Sequence, residues 1–304
     1  MQGFAVAIKY LVIIGIGYLL KCLHVIKEQE AAILGRVILY LTLPAVIITS
    51  FSQSTSDRWM LLSLAIGFCG SALVLLATVL CTGKLDREAR AMYALNCAGM
   101  NLGNITIPFL TSALPGAVVY AGMFATGDSF IALGGNYAVA EILLSRKSGN
   151  PFTRLVRALL SSPPFLAYAI MAILVLCGVQ LPAFFTDFCG TVGNANTLLC
   201  MLFIGLSLNF SRGKVNGRQV VAILLIRLAA SVVLFTLAMT CLRSAPLLMR
   251  QAIAVSVFSA IPNVCLVYVS KLGLDTATAG LANTISSILA IPLLSLAMWV
   301  SGIL

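Results

Sequence analysis

The chain has 304 residues, 61% of them apolar and only 9% charged, with 19 Lys and Arg against 9 Asp and Glu for a net charge of +10. A soluble domain carries roughly 25% charged residues. This composition therefore excludes an ordinary cytosolic enzyme, a disulfide-rich secreted scaffold and a disordered segment, and leaves a polytopic membrane protein.

In chain order, Gly3 to Lys21 lacks a basic leader and a small-residue cleavage site, so it is expected to be a retained helix rather than a signal peptide. A spanning helix needs about 20 mostly apolar residues. Ten stretches qualify, near 3–21, 33–52, 60–82, 89–113, 116–144, 164–181, 192–210, 219–242, 250–270 and 276–303. Their long continuous runs favour helices over a barrel of alternating strands. The nine Cys residues are scattered, mostly inside these runs, and read as small buried hydrophobes.

The charges sort by side. Loops after the odd-numbered spans hold Lys21, Lys27, Arg36, Lys84, Arg87, Arg90, Arg146, Lys147, Arg154, Arg157, Arg212, Lys214, Arg218 and Lys271. The opposite side holds Lys9, Arg58, Arg243 and Arg250, a 14-to-4 asymmetry. It places the odd-numbered loops in the cytoplasm and both termini outside. The basic balance is thereby explained as topology, without a nucleic-acid partner.

The longest polar interruption, Ser145 to Pro163, separates five expected spans from five. An odd number of spans per half turns the halves over relative to each other, the arithmetic of an inverted repeat. The expected organisation is a first repeat over 1–144, a cytoplasmic linker over 145–163 and a second, inverted repeat over 164–304. Asn150-Pro151 could open a short surface helix in the linker, with Arg154 and Arg157 facing headgroups, or the segment is a plain basic loop.

The fourth span of each half carries helix-breaking chemistry. Span 4 contains Asn101-Leu-Gly103-Asn104-Ile-Thr106-Ile-Pro108, with Gly99 just before it, and span 9 contains Pro262-Asn263. Pro removes a backbone donor and clashes with the preceding turn, and Gly lowers helix propensity. Unwound backbone at membrane depth is tolerated only where protein buries it or it lines a cavity. Matched interruptions in the two halves point to a transport site, against the blander reading of two kinked, packed helices.

These residues resemble the auxin efflux carrier family of membrane permeases, in its compact bacterial form. Gly17-Tyr18-Leu19 and Tyr40-Leu-Thr-Leu-Pro44-Ala45 look like that family's first two helices, and Asn101 to Pro108 looks like its Asn-x-Gly-Asn-x-Gly-x-Pro signature, with Thr106 where Gly is common. Asn150-Pro151 and Gly178-Val-Gln-Leu-Pro182 fit as well. The resemblance implies an all-α membrane protein of ten transmembrane helices in two inverted five-helix repeats, with broken helices 4 and 9 crossing at mid-membrane between a scaffold and a transport domain. It also implies carriage of organic anions, such as auxin in plants and malate or malonate in bacteria, across a bacterial inner (plasma) membrane. The long central loop of the large plant carriers is missing, so plant-type auxin transport is not the expected role.

Candidate site residues follow. Half-helix N-termini carry about half a positive charge and can hold a carboxylate. Asn101, Gly103, Asn104, Thr106, Pro108, Pro262 and Asn263 form the expected substrate site, with the anion between Asn104 and Asn263. Asp128 lies about 18 Å along span 5 from Gly116, near mid-bilayer, where a carboxylate is a functional candidate. It could carry H+ or ligate Na+ as coupling ion, or be a neutral group bonded to Thr126 or Ser129. Arg227, eight residues into span 8, is a candidate charge partner for Asp128 or a side chain snorkelling to the cytoplasmic headgroups. Asn136, Asn283 and Thr284, with Ser286 and Ser287, are lower-ranked and could equally serve helix packing. Glu141 and His24, the only histidine, read as solvated loop or interfacial groups.

Among function classes, a secondary carrier of small organic anions accounts for the repeat and the paired breaks. A non-transporting membrane sensor with the same pocket is the competing reading. No filter motif suggests a channel. Neither a nucleophile-base pair nor metal-ligand spacing suggests an enzyme, so no catalytic residue, metal or cofactor is expected. A homodimer in the lipid bilayer is the remaining partner expectation.

Overall fold

The structure is a computed structural model that describes residues 2–26, 28–52, 57–145, 150–208 and 215–303. Lys27, Arg146, Lys147, Arg212 and Lys214, counted above among the basic loops, lie outside these residues, as does the Arg154 side chain.

Among the described residues all regular secondary structure is helical. Helix α1 runs Gln2–Cys22. Helix α2, Glu28–Val37, continues through a π-helical turn, Ile38–Thr42, into α3, Leu43–Ser52. Helix α4 is Arg58–Cys81 and α5 is Arg87–Cys97. After a break, a π-helical turn at Leu102–Thr106 leads into α6, Ile107–Ala113. Helix α7, Val118–Phe130, passes through a third π-helical turn, Ile131–Gly135, into α8, Asn136–Leu143. The second half contains α9 (Pro151–Leu160), α10 (Pro163–Leu176), α11 (Ala183–Asn194), α12 (Asn196–Ser207), α13 (Gly217–Cys241), α14 (Leu247–Ser256), α15 (Val264–Lys271) and α16 (Thr276–Ile303).

Seven of these helical stretches are long and apolar enough to cross a membrane. They coincide with expected spans 1, 2, 3, 5, 7, 8 and 10. The remaining expected spans are shorter pieces: 4 and 9 are split into α5–α6 and α14–α15, and 6 is the 14-residue α10.

Three of the nine acids are placed where helices begin. Asp57 accepts from the Trp59 amide at 3.1 Å, Asp86 from the Ala89 amide at 2.7 Å, and Asp275 from the Ala277 and Thr278 amides at 3.0 Å each. Each satisfies N–H groups that have no partner inside the helix. Asn150 caps α9 with Pro151 at its first position, so a helix does open in the linker. Its Leu159 is buried and its Arg157 exposed.

Small residues set the tightest helix crossings. A Cβ on Gly67 of α4 would strike the Phe124 carbonyl, and one on Gly127 of α7 would strike the Leu64 carbonyl. Gly17 of α1 and Gly205 of α12 meet the Leu202 and Ile14 carbonyls in the same reciprocal way. Backbones approach this closely only without side chains between them. Gly127→Val is expected to destabilise the fold by about 3 kcal/mol or more through overpacking, seen as a lower melting temperature of the detergent-solubilised protein.

Two expectations about exposure are corrected. Glu141 is not solvated; it retains 7% exposure and has a partner. Only four cysteines, Cys97, Cys189, Cys200 and Cys265, are buried, and the other five lie on the apolar exterior, where a small thiol suits lipid as well as core.

Candidate functional site

Helices α5 and α14 both stop inside the bundle, and their ends meet. Past Cys97 the chain turns extended at Ala98 (φ −106°, ψ 162°) and left-handed at Gly99 (φ 78°). A side chain at Gly99 would be strained by that φ and would also press on Ala132. Asn101 donates its amide N–H to the Ala260 carbonyl at 2.9 Å, joining the first break to the second. The second break runs from Val257 to Asn263, where α15 starts.

The placement of the break corrects the role given to Pro108. The helix is already broken nine residues earlier, at Gly99. Pro108 sits at the start of α6, where its missing N–H costs nothing. The π-helical turn before it widens the backbone where the proline ring would otherwise clash with the carbonyl four residues back. Pro44 follows the π-helical turn of span 2 in the same way. Pro262 does lie within its break.

Unwound backbone must find partners inside the protein, and side chains from distant helices supply them. Arg227 of α13 donates from Nη1 to the carbonyls of Asn96 (3.1 Å), Cys97 (3.1 Å) and Gly99 (3.0 Å). Its Nη2 donates to those of Ser259 and Ala260, both at 3.0 Å. One guanidinium thus closes the C-terminal ends of both half-helices, where the helix dipoles place negative charge. Snorkelling of Arg227 to the headgroups is therefore corrected: the four N–H groups of its two terminal nitrogens point at the crossing, shared among the five carbonyls gathered there.

The other breaks are met similarly. Asn136 donates Nδ2 to the Ala98 carbonyl at 2.9 Å. Asn283 donates to the Ile261 carbonyl at 3.1 Å, and Ser286 Oγ accepts from the Ile261 amide at 2.8 Å. Ser231 donates to the Val257 carbonyl at 2.6 Å. Asp128 accepts from the Met100 amide at 3.1 Å and from the Ser71 hydroxyl of α4. It is not bonded to Thr126 or Ser129, whose hydroxyls return to their own helix at Gly122 and Ala125.

A cavity of about 380 Å³ lies against the crossing. Its wall includes Asn101, Gly103, Asn104, Asp128, Pro262 and Asn263 of the expected set. Each of the three π-helical turns contributes to it, through Leu39, Leu102 to Asn104, and Ala132 with Leu133. Such turns recur at functional sites because they displace a helix face by one residue. Leu43, Phe165, Tyr168 and Phe203 make much of the remainder apolar.

Thr106, Pro108, Asn136, Arg227, Asn283 and Thr284 are not on the cavity wall. Thr106 is fully buried with its hydroxyl unpartnered in the protein, and Pro108 gives its carbonyl to Tyr10 at 2.8 Å. Asn136, Asn283 and Arg227 serve the breaks from behind. Thr284 is buried and has a partner.

Arg36 and Tyr168 on the wall were missed by sequence reasoning. Arg36 counted as a loop charge, but α2 begins at Glu28, which puts Arg36 two turns into a helix facing the cavity. From Ala32 to Leu43 that wall runs about 16 Å. The Tyr168 hydroxyl is buried without a protein partner. Its apolar neighbours in span 6 gave no hint of it. Among the described residues no group of three His, Cys, Asp or Glu side chains gathers for a metal ion; Asp128 is the acidic side chain on the cavity wall.

Residues 4–133 match the family described as Membrane transport protein. This stretch contains the first break, Asp128 and Arg36. The resemblance to the auxin efflux carrier family is borne out. The chain is also 26% identical over 232 residues to an uncharacterized transporter of Methanothermobacter thermautotrophicus, covering 69% of each chain. A second uncharacterized transporter, from Methanocaldococcus jannaschii, is 26% identical over 217 residues, covering 66% of this chain and 67% of its own. Together with seven apolar helices, these likenesses support a multi-pass membrane transporter, a protein with a small-molecule substrate and a lipid surround. Kinship with transporters argues for carriage rather than catalysis.

Proposed function

We propose that the protein is a secondary carrier of small organic anions such as dicarboxylates, working by alternating access around the crossing. The observation that supports it best is the cavity itself, where a guanidinium (Arg36), three side-chain amides (Asn101, Asn104, Asn263) and the N-terminus of α15 converge on broken helices. Their charge and donor chemistry suits a carboxylate. In this reading, ten spans form two inverted halves, 1–144 and 164–304, joined by the 145–163 linker. The basic loops face the cytoplasm, both termini lie outside, and the membrane is a bacterial plasma membrane. Asp128 is the candidate site for a coupling H+ or Na+, and two copies could pair as a homodimer.

The test is flux of labelled malate and malonate into proteoliposomes under imposed proton and sodium gradients. Saturable, gradient-driven uptake is expected, and its absence alongside measurable binding would mark a sensor instead. Arg36→Gln should raise KM about 10- to 100-fold, the worth of one charge-assisted hydrogen bond. An unchanged KM would remove Arg36 from the site.

A further inference from the structure

The peptide group between Gly99 and Met100 is held at both ends by opposite charges. Its carbonyl accepts from Arg227 at 3.0 Å and its N–H donates to Asp128 Oδ2 at 3.1 Å. Met100 and Asp128 both line the cavity, whereas Arg227 lies behind the crossing. The Met100 N–H is therefore a donor at the cavity wall, polarised from behind by a guanidinium, and an internal carboxylate already occupies it. The next residue offers a second donor: Asn101 Nδ2 is buried with no protein partner, while its backbone N–H is committed to Ala260.

We propose that the Met100 N–H is a binding donor for the carboxylate of the transported anion, which Asp128 occupies while ionised and releases when a proton or a sodium ion neutralises it. Asp128 is in this sense a stand-in for the substrate. While charged, it both blocks the donor and repels an incoming carboxylate; once neutral, it does neither. Coupling then needs no large movement, because cation and anion compete through one peptide group.

Several ionisable groups surround Asp128. Arg227 reaches it through the peptide, and the Tyr168 hydroxyl and Arg36 share its cavity. The Cys97 and Cys265 thiols flank Arg227. Farther off on helices packed against α7, the described charged side chains are Arg58 on α4, Arg250 on α14 and Arg157 on α9.

The proposal rests on the anion-carrier reading, and its test separates the two. Malonate and benzoate serve as probes of the purified full-length protein, with binding followed by thermal shift and calorimetry at mildly acid and mildly alkaline pH, in sodium or choline. In parallel, amide hydrogen exchange of the 98–104 segment is followed by mass spectrometry without any probe. In wild type, acid or sodium should tighten probe binding about tenfold, the effect of one charge-assisted hydrogen bond. The same change should speed exchange in 98–104 beyond its intrinsic pH dependence.

Asp128→Asn, a neutral isostere, should bind the probes without cation dependence and exchange at the cation-loaded rate. Ser71→Ala keeps the carboxylate and should keep the dependence. Cation dependence that persists in Asp128→Asn, or exchange in 98–104 that ignores pH, sodium and this substitution, overturns the proposal. Should wild type bind neither probe under any condition, the organic-anion reading fails, and the exchange arm alone decides the switch. Were Asp128→Asn not to fold, the exchange response of wild type would still decide it.

Discussion

Arg227→Ala is expected to abolish transport and to cost about 3–5 kcal/mol of stability, as removing one partner of a buried charged network does. The carbonyls of Asn96, Cys97, Gly99 and Ser259 would lose the Arg227 donor together, while that of Ala260 keeps the Asn101 N–H; each buried unpaired group costs about 1–3 kcal/mol. Both half-helix C-termini would also lose the charge that complements their dipoles. Arg227→Lys restores the charge but presents three donors from one point. It should recover part of the stability and little of the transport. Thermal unfolding in detergent and proteoliposome flux are the two readouts. If Arg227→Ala melts like wild type, the clamp is not what holds the crossing.

Asn104→Ala and Asn263→Ala act in the opposite way. Neither side chain bonds another described residue, and both are half-buried on the cavity wall. Each substitution should lower kcat/KM about 10- to 100-fold, from loss of a hydrogen bond worth about 1.5–3 kcal/mol to a charged ligand. Membrane abundance and melting temperature should stay at wild-type values. Because both amides would address one bound anion, their effects should fall short of additive in the double variant. Transport that is unchanged in both single variants would place the anion elsewhere.

The contrast between these variants follows from the division at the crossing. Asn104 and Asn263 face the cavity and are spared structural duty, whereas Arg227, Asn136 and Asn283 face the broken backbone and are consumed by it. Both sets are amides or cations inside apolar helices, so hydropathy treats them alike. What separates them is the face on which they stand. Period and spacing alone do not give that once π-helical turns shift the helix phase at 38–42, 102–106 and 131–135.

Composition and local pattern sufficed for the helical class, for the seven long apolar spans and for the neighbourhood of both breaks, because these depend on burial, propensity and residues adjacent in the chain. Gly99 reads from the sequence as a helix weakener. Only the fold made it, rather than Pro108, the turning point, since a positive φ is a backbone state and not a residue type. The tertiary structure alone decided the partners. Arg227 finds the Asn96 carbonyl 131 positions away, and Asp128 finds Ser71 across 57. A lone charge in an apolar helix announces that it needs a partner; the strength of that need is local, but which group meets it depends on how the helices pack.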